Sequence, residues 1–372
     1  MVLGDLGATV VKIERPGSGD DTRSWGPPHD SAGEATYFLA ANRNKVSHVS
    51  DLTDAADVRS VTALCESADV VVENFRPGVM DRLGLGYGHL EAINPRLVYC
   101  SVTGFGRAGG AELAGYDLLV QALGGLMSIT GEPDGGPQKV GVALVDVLTG
   151  LFATIGILAA LRYRIDSGRG QHVEVNLLSC LLASLVNQGS AYTAGGVTPT
   201  RMGNEHPSIA PYEVIPTAEG DLVLAVGNEL QFARLCEAIG VPRLALDSRF
   251  ETNTDRVAHR EVLRVELERA LAGRSAPVWV ATLNAAGIPA GVVNDVAGAF
   301  QLAAELGLQP IVSTFREDGT RVNLTRSPIG MSSTPPTYRL APPRLGENSL
   351  AGRSHGAASA LQTTSPLEGE PL

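Results

Sequence analysis

Between Val140 and Leu161 the chain carries one charged residue, Asp146, in an otherwise apolar run. A lone carboxylate there has two readings. The run reads as a buried strand (Val-Gly-Val-Ala-Leu-Val, 140–145) followed by a buried helix from Val147 to near Arg162. Asp146 then stands at the junction, where Asp is a preferred helix N-cap. The second reading is chemical. A helix N-terminus favours the ionised carboxylate, and an apolar setting removes its water, so the group can act as a nucleophile on an activated acyl carbon. Position alone favours the cap.

Basic residues gather at three loops of the first third. Lys12, Arg15 and Arg23 flank one, Arg43 and Lys45 a second, and Arg76 and Arg82 a third. Loops meeting at one sheet edge would form an anion pocket suited to phosphates. Surface ion pairs with Asp20, Asp21, Asp51 and Asp81 explain the same residues without a ligand. The segment GFGRAG (104–109) follows a strand and fits the dinucleotide pattern GxGxxG. No strand ending in an acidic residue follows at the required distance, so the match is weak. His206, in GNEHPSIAP, is the only histidine in a distinctive loop. Cys65, Cys100, Cys180 and Cys236 are dispersed without a CxxC pair, which supports neither a disulfide scaffold nor a zinc site.

The chain has 372 residues, 44% of them hydrophobic, enough for a substantial core and two domains. Forty acidic residues against 29 basic ones leave a net charge of −11, which argues against a general nucleic-acid binder or a basic membrane-surface protein. The 140–161 run is long enough for a membrane span, but its composite strand–helix character favours a soluble protein. No basic start precedes an apolar leader, and the expected compartment is the cytoplasm.

The elements that must position these residues alternate. Val46–Leu52, Asp69–Glu73 and Arg96–Val102 read as strands, and Ala55–Ser67 as a helix, a pattern that favours a mostly parallel sheet wrapped by helices. Long helices are expected at about 147–166 and 175–195. Gly195 to Pro211 reads as a linker, and 212–305 as a second unit with a strand near Leu222–Val226 and helices at Glu229–Ile239, His259–Leu271 and Pro277–Ala286. Met1–Leu6 reads as the end of a helix stopped by Gly7, so the strand and loop that normally open such a domain are expected to be missing. From about Ser354 the chain reads as a disordered tail in place of a final helix.

Taken in order, several blocks resemble the class III (family III) CoA-transferases, the group that includes formyl-CoA transferase and carnitine CoA-transferase. They are LGDLGATVVKIERPGSGDDTR (3–23), NRNK (42–45), VVENFRPGVMDRLGLGY (71–87), VYCSVTGFG (98–106), GYDLLVQALGGLMSITGEPDG (115–135), DVLTG (146–150), GRGQHVEVNLL (168–178) and PPRLGE (342–347).

The resemblance implies an α/β fold, with a Rossmann-like open-sheet large domain (1–190, with a return segment at about 306–350) and a smaller α+β domain (212–305) joined by the 191–211 linker. It also implies an interlocked homodimer. The family's catalytic aspartate falls on Asp146, which would form a covalent intermediate with acyl-CoA. CoA contacts would fall on Arg15, Asp51, Leu52, Asn74, Phe75, Arg76, Arg82, Tyr116 and Asp117. Substrate contacts would fall on Gly227 and Asn228, where formyl-CoA transferase has a glycine run; the difference makes oxalate a disfavoured acceptor. No permanently bound cofactor and no metal are implied, the coenzyme A thioester being substrate.

The blocks GNEHPSIAPYEVI (203–215), QFARLCEAIG (231–240) and DSRFETNTDRV (247–257) look most like members that use succinyl-CoA and other dicarboxylates. An α-methylacyl-CoA racemase is the alternative within the same fold. It carries a His-Asp pair where this chain has Tyr116-Asp117, and without that histidine α-proton removal lacks one of its two bases. An acyl-CoA-binding relative without turnover is the reading from a different class.

Overall fold

The computed structural model describes residues 1–347. In chain order the elements are α1 (Val2–Asp5), β1 (Val10–Glu14), α2 (Thr36–Asn42), β2 (Lys45–Val49), α3 (Ala55–Ser67), β3 (Val70–Glu73), α4 (Val79–Arg82), α5 (Tyr87–Ile93) and β4 (Val98–Thr103). Then come α6 (Asp117–Leu123), α7 (Leu144–Ser167), β5 (His172–Asn176), α8 (Leu177–Ser184), α9 (Val186–Thr193), β6 (Tyr212–Pro216) and β7 (Asp221–Ala225). The rest are α10 (Glu229–Ala238), α11 (Asn253–Ala258), α12 (Arg260–Leu271), α13 (Ala276–Ala285), β8 (Ala290–Val292), α14 (Val296–Glu305), β9 (Ile311–Phe315) and β10 (Arg321–Thr325).

The chain divides into two compact units. The first comprises Met1–Leu113, Thr149–Asn176 and the described chain from Ala303; the second comprises Ala114–Leu148 and Leu177–Leu302. The sequence reading put the boundary near residue 190. The structure instead assigns 114–148 and 177–190 to the second unit, and α7 runs across the division.

In the first unit, β1 and β2 pair in parallel, and β3, β4 and β5 form a second parallel group in that order. Successive residues of a strand face opposite ways, and β4 uses both faces. Tyr99 joins Val61, Leu85, Leu90 and Leu97 beneath α3 and α5. Val98 and Cys100 pack on the other face against Ala153, Ile157 and Ala160 of α7. Those three residues lie at helical spacing on one stripe of α7. Gly156 lets that stripe come close, since a Cβ there would stand 2.8 Å from Val173 Cγ1. The opposite stripe, with Ile155 at 63% exposure and Ile165 at 75%, remains uncovered in the single chain. Among the described residues α7 is the one helix long and apolar enough to cross a membrane.

The antiparallel hairpin β9–β10 is joined to the opening segment by buried polar contacts. Arg43 donates from Nε and Nη2 to both carboxylate oxygens of Asp5, at 2.9 and 2.6 Å, and from Nη1 to the Thr325 carbonyl at 2.7 Å. Asn44, at φ 58°, donates to Asp5 and to the Thr337 carbonyl, and its Oδ1 accepts from the Arg339 and Leu340 N–H groups. Arg23 makes a two-pronged pair with Glu14 and reaches the Pro343 carbonyl.

The second unit holds the antiparallel sheet β6–β7–β8. Ile215, Leu222 and Leu224 face a core completed by Phe232 and Leu235 of α10, Leu263 and Leu267 of α12, and Trp279 and Leu283 of α13. Two of its helices start where side chains satisfy the free N–H groups. Asn228 caps α10 through the Gln231 N–H, and Thr252 and Asp255 form a capping box on α11. The 203–211 linker is held down: Arg256 donates to the Ala210 carbonyl at 2.7 Å, and Arg260 to the His206 and Pro207 carbonyls.

Several expected elements differ. Residues 140–145 form no strand; the last two already belong to α7, because Val142 and Ala143 turn the chain into the helix. The helix expected over 175–195 is β5 followed by α8 and α9, broken where Val186 adopts φ 45°. The described residues open on α1, with Gly7 at φ 106° behind it. The tail from Ser354 and the segment where a final helix was sought lie outside the described residues.

Candidate active site

Asp146 is the third residue of α7, not its cap. Ala143 precedes the helix and has no side-chain acceptor, so a residue distant in sequence supplies one. Asp117, the first residue of α6, accepts from the Val145 N–H at 2.8 Å and from the Asp146 N–H at 3.3 Å through Oδ1. Its Oδ2 accepts from Gln121 Nε2 at 2.6 Å, and Gln121 Oε1 accepts from the Val140 N–H at 2.9 Å. The approach to α7 is thereby fixed from both sides.

This arrangement changes the electrostatic reading. Asp146 is exposed by surface area, yet the protein packed around its carboxyl raises its pKa to about 6, and the negative charge of Asp117 adds to the rise. Desolvation and a like charge therefore outweigh the helix N-terminus, whose N–H dipoles are already engaged by Asp117. The carboxylate is ionised at neutral pH and more basic than an ordinary aspartate, which suits a nucleophile.

The first unit carries a shallow, open cleft at the carboxyl ends of β3 and β4. Ligands of open α/β sheets bind at such strand ends. Of the anticipated CoA contacts, Phe75 and Arg76 line this cleft. Phe75 is 43% exposed, its N–H tied to Glu73 Oε2 at 2.8 Å. Arg82 ends α4 and reaches back toward Gly78, which stands at φ 80° in the cleft wall. Among the described residues neither Arg76 nor Arg82 has an ion-pair partner, so both guanidinium groups are available to an anion.

The other basic residues are committed. Lys12 pairs with Asp20, Arg15 with Asp21, Arg23 with Glu14 and Arg43 with Asp5. Arg15, expected at CoA, also donates to Ser18 Oγ. Its position is explained by the surface loop. Asp51 closes its own turn by accepting from Thr53, and Leu52 packs on the cluster beneath α3. Asn74 is exposed beside Phe75, and Tyr116 is 64% exposed just before α6. In the second unit, Gly227 donates its N–H to Gln231 Oε1 at 2.8 Å, and Asn228 is the α10 cap.

Sequence reasoning missed the cleft's inner wall. Ser101 Oγ and His172 Nε2 lie 2.9 Å apart on neighbouring strands, and Tyr87 stacks on His172 with ring centroids 4.9 Å apart. Burial lowers the His172 pKa, so the ring is neutral at pH 7. The GFGRAG loop borders the cleft through Arg107 but leads into irregular chain, with no helix before α6, so it cannot present a helix N-terminus to a dinucleotide as the fingerprint requires. Burial pushes the Cys65, Cys100 and Cys236 thiols up to about 11, which leaves them protonated and poorly nucleophilic. Among the described residues no group of three His, Cys, Asp or Glu could hold a metal ion.

Comparison with known proteins gives this geometry a family. The succinate–glutarate CoA-transferase of Agrobacterium fabrum is 45% identical over 357 residues, covering 93% of this chain and 88% of that protein. The mouse succinyl-CoA:glutarate CoA-transferase is 41% identical, covering 90% and 79%. An acetyl-CoA:oxalate CoA-transferase of Acetobacter aceti is 40% identical, covering 96% and 91%. Among solved structures, a CAIB/BAIF family protein from Brucella suis superposes with a TM-score of 0.81 at 42% identity, covering 97% of this chain and 93% of that one. The family model for CoA-transferase family III matches residues 1–349. The chain belongs to CoA-transferase family III and is a CoA-transferase acting between an acyl-CoA and a carboxylic acid.

Proposed function

We propose that Asp146 is the covalent nucleophile of this transfer, and that the acids exchanged are dicarboxylates, with succinyl-CoA as a donor. The carrying observation is a solvent-accessible carboxylate whose basicity is raised by its surroundings. Asp146 attacks the thioester carbonyl, the C–S bond breaks, and CoA thiolate leaves behind an acyl-aspartyl anhydride. The thiolate then attacks the aspartyl carbonyl, expelling the donor acid as carboxylate and forming an aspartyl-CoA thioester. The acceptor carboxylate attacks that thioester, again releasing thiolate and forming a second anhydride. Attack of thiolate on the acceptor's acyl carbon releases the new acyl-CoA and restores Asp146. Each step exchanges activated acyl groups, so no step requires hydrolysis.

The dicarboxylate assignment is supported by the relatives named for succinate, glutarate and mesaconate. The relative named for oxalate makes that acid an arm of the test. The protein is incubated with succinyl-CoA and labelled succinate, glutarate, oxalate or a monocarboxylate, and label entering the CoA ester is followed. Exchange with succinate and glutarate that vanishes in Asp146→Asn supports both parts. Exchange confined to monocarboxylates overturns the acceptor class, and exchange persisting in the variant overturns the nucleophile.

The uncovered stripe of α7 supports a homodimer, since apolar side chains such as Ile155 and Ile165 lose water only against another surface. Sedimentation of the wild type and of Ile155→Glu tests this. A dimer that becomes monomeric agrees, and a wild-type monomer overturns it.

A further inference from the structure

We propose that Arg107 binds a phosphate group of the CoA nucleotide, exchanging its contacts with Asp81 and Glu174 for that phosphate. The proposal rests on reading the first-unit cleft as the CoA site.

Arg107 borders the cleft from the loop that follows β4, and so stands at the carboxyl end of a parallel strand. It is held between two elements. Its Nη2 lies 3.7 Å from Asp81 on α4, and its Nη1 donates to Glu174 on β5 at 3.1 Å. All three side chains are exposed, at 43%, 57% and 53% respectively. Ion pairs so wetted contribute little. A phosphate offers the planar guanidinium a stronger, two-pronged match than two separate solvated carboxylates.

Tyr87, Ser101 and His172 give the cleft an aromatic, polar wall suited to a neutral heterocycle, and Glu73 and Asp81 bring two carboxylates to the same cleft. Arg76 and Arg107 are the cations bordering it. Arg76 has no carboxylate partner among the described residues, whereas Arg107 is restrained by two. The carboxylates therefore compete with the ligand, and removing one of them should strengthen CoA binding.

Calorimetric titration of the full-length protein with CoA, dephospho-CoA and pantetheine tests this. Arg107→Ala should raise the Kd for CoA about tenfold, the factor that one charge-assisted hydrogen bond supplies, and leave pantetheine unaffected. Dephospho-CoA identifies the phosphate. A retained penalty points to the diphosphate, and a lost penalty to the 3′-phosphate. Glu174→Gln should lower the Kd for CoA, a gain that a merely structural role for the Arg107–Glu174 pair would not produce. An unchanged Kd in Arg107→Ala, an equal penalty on pantetheine, or weaker binding in Glu174→Gln overturns the proposal. An unchanged Kd for CoA in both Arg76→Ala and Arg107→Ala, with Asp146-dependent exchange intact, would overturn the cleft assignment as well.

Discussion

Asp117 caps the helix that carries Asp146, with Oδ1 at 2.8 Å from the Val145 N–H and 3.3 Å from the Asp146 N–H. One carboxylate thus positions the other while its charge makes the other harder to ionise. Burial is the larger cause of the raised basicity, and Asp117 adds to it while setting the orientation.

The pH dependence of transfer follows. Asp146 is raised to about 6, so below that pH it is protonated and cannot attack a thioester. The donor half-reaction should lose about tenfold in rate per unit of pH below the midpoint. Rapid-quench measurement of labelled succinate released from succinyl-CoA between pH 4.5 and 8 checks it; a midpoint near 4 would mean that burial does not govern the group.

Neutralising Asp117 separates its two roles. Asp117→Asn keeps an oxygen acceptor for the helix N–H groups but removes the like charge, so the acidic limb should move to lower pH with stability nearly unchanged. Asp117→Ala also loses the acceptor and should destabilise the protein by about 1 kcal/mol, the usual cost of a lost cap. Thermal melts and pH–rate profiles of both variants provide the comparison.

The basic residues should divide by their partners. Arg76→Ala and Arg82→Ala remove guanidinium groups with no ion-pair partner among the described residues, and should raise KM for acyl-CoA severalfold while kcat changes little. Arg15→Ala breaks an exposed pair with Asp21 and should leave both constants within about twofold. Steady-state kinetics with succinyl-CoA decide; a KM effect confined to Arg15 would reverse the assignment.

Asp5→Ala leaves the buried Arg43 guanidinium without its carboxylate. Loss of one partner of a buried ion pair costs about 3–5 kcal/mol, so the urea midpoint should fall sharply. A midpoint shift equivalent to less than about 1 kcal/mol would show that water replaces the carboxylate.

What the sequence made legible was local. The α10, α12 and α13 helices could be read because their apolar spacing sits within one stretch of chain, with Asn228 capping α10 from the adjacent position. Asp146 stood out because no other charge lies near it in sequence. The cap assignment failed because its acceptor, Asp117, comes from another helix, and no local rule reports a tertiary contact. Ser101 and His172 escaped notice for the same reason: they are 71 residues apart and meet only through the β4–β5 register. The basic clusters looked alike in sequence, and only their partners separate Arg76 and Arg82 from Arg15, Arg23 and Arg43.

Arg23, Arg43 and Asn44 hold Pro343, Thr325 and Thr337, so the first unit closes on residues made 282 to 320 positions later. The second unit, Ala114–Leu148 with Leu177–Leu302, is synthesised entirely within that interval. On the ribosome the inner unit can assemble while the outer one still waits for its final strands. Long-range closure of this kind is slow, and it leaves Arg43 and Asn44 without their distant carbonyls until Thr325 and Thr337 have been made. Translation therefore allows the second unit to assemble before the first can close.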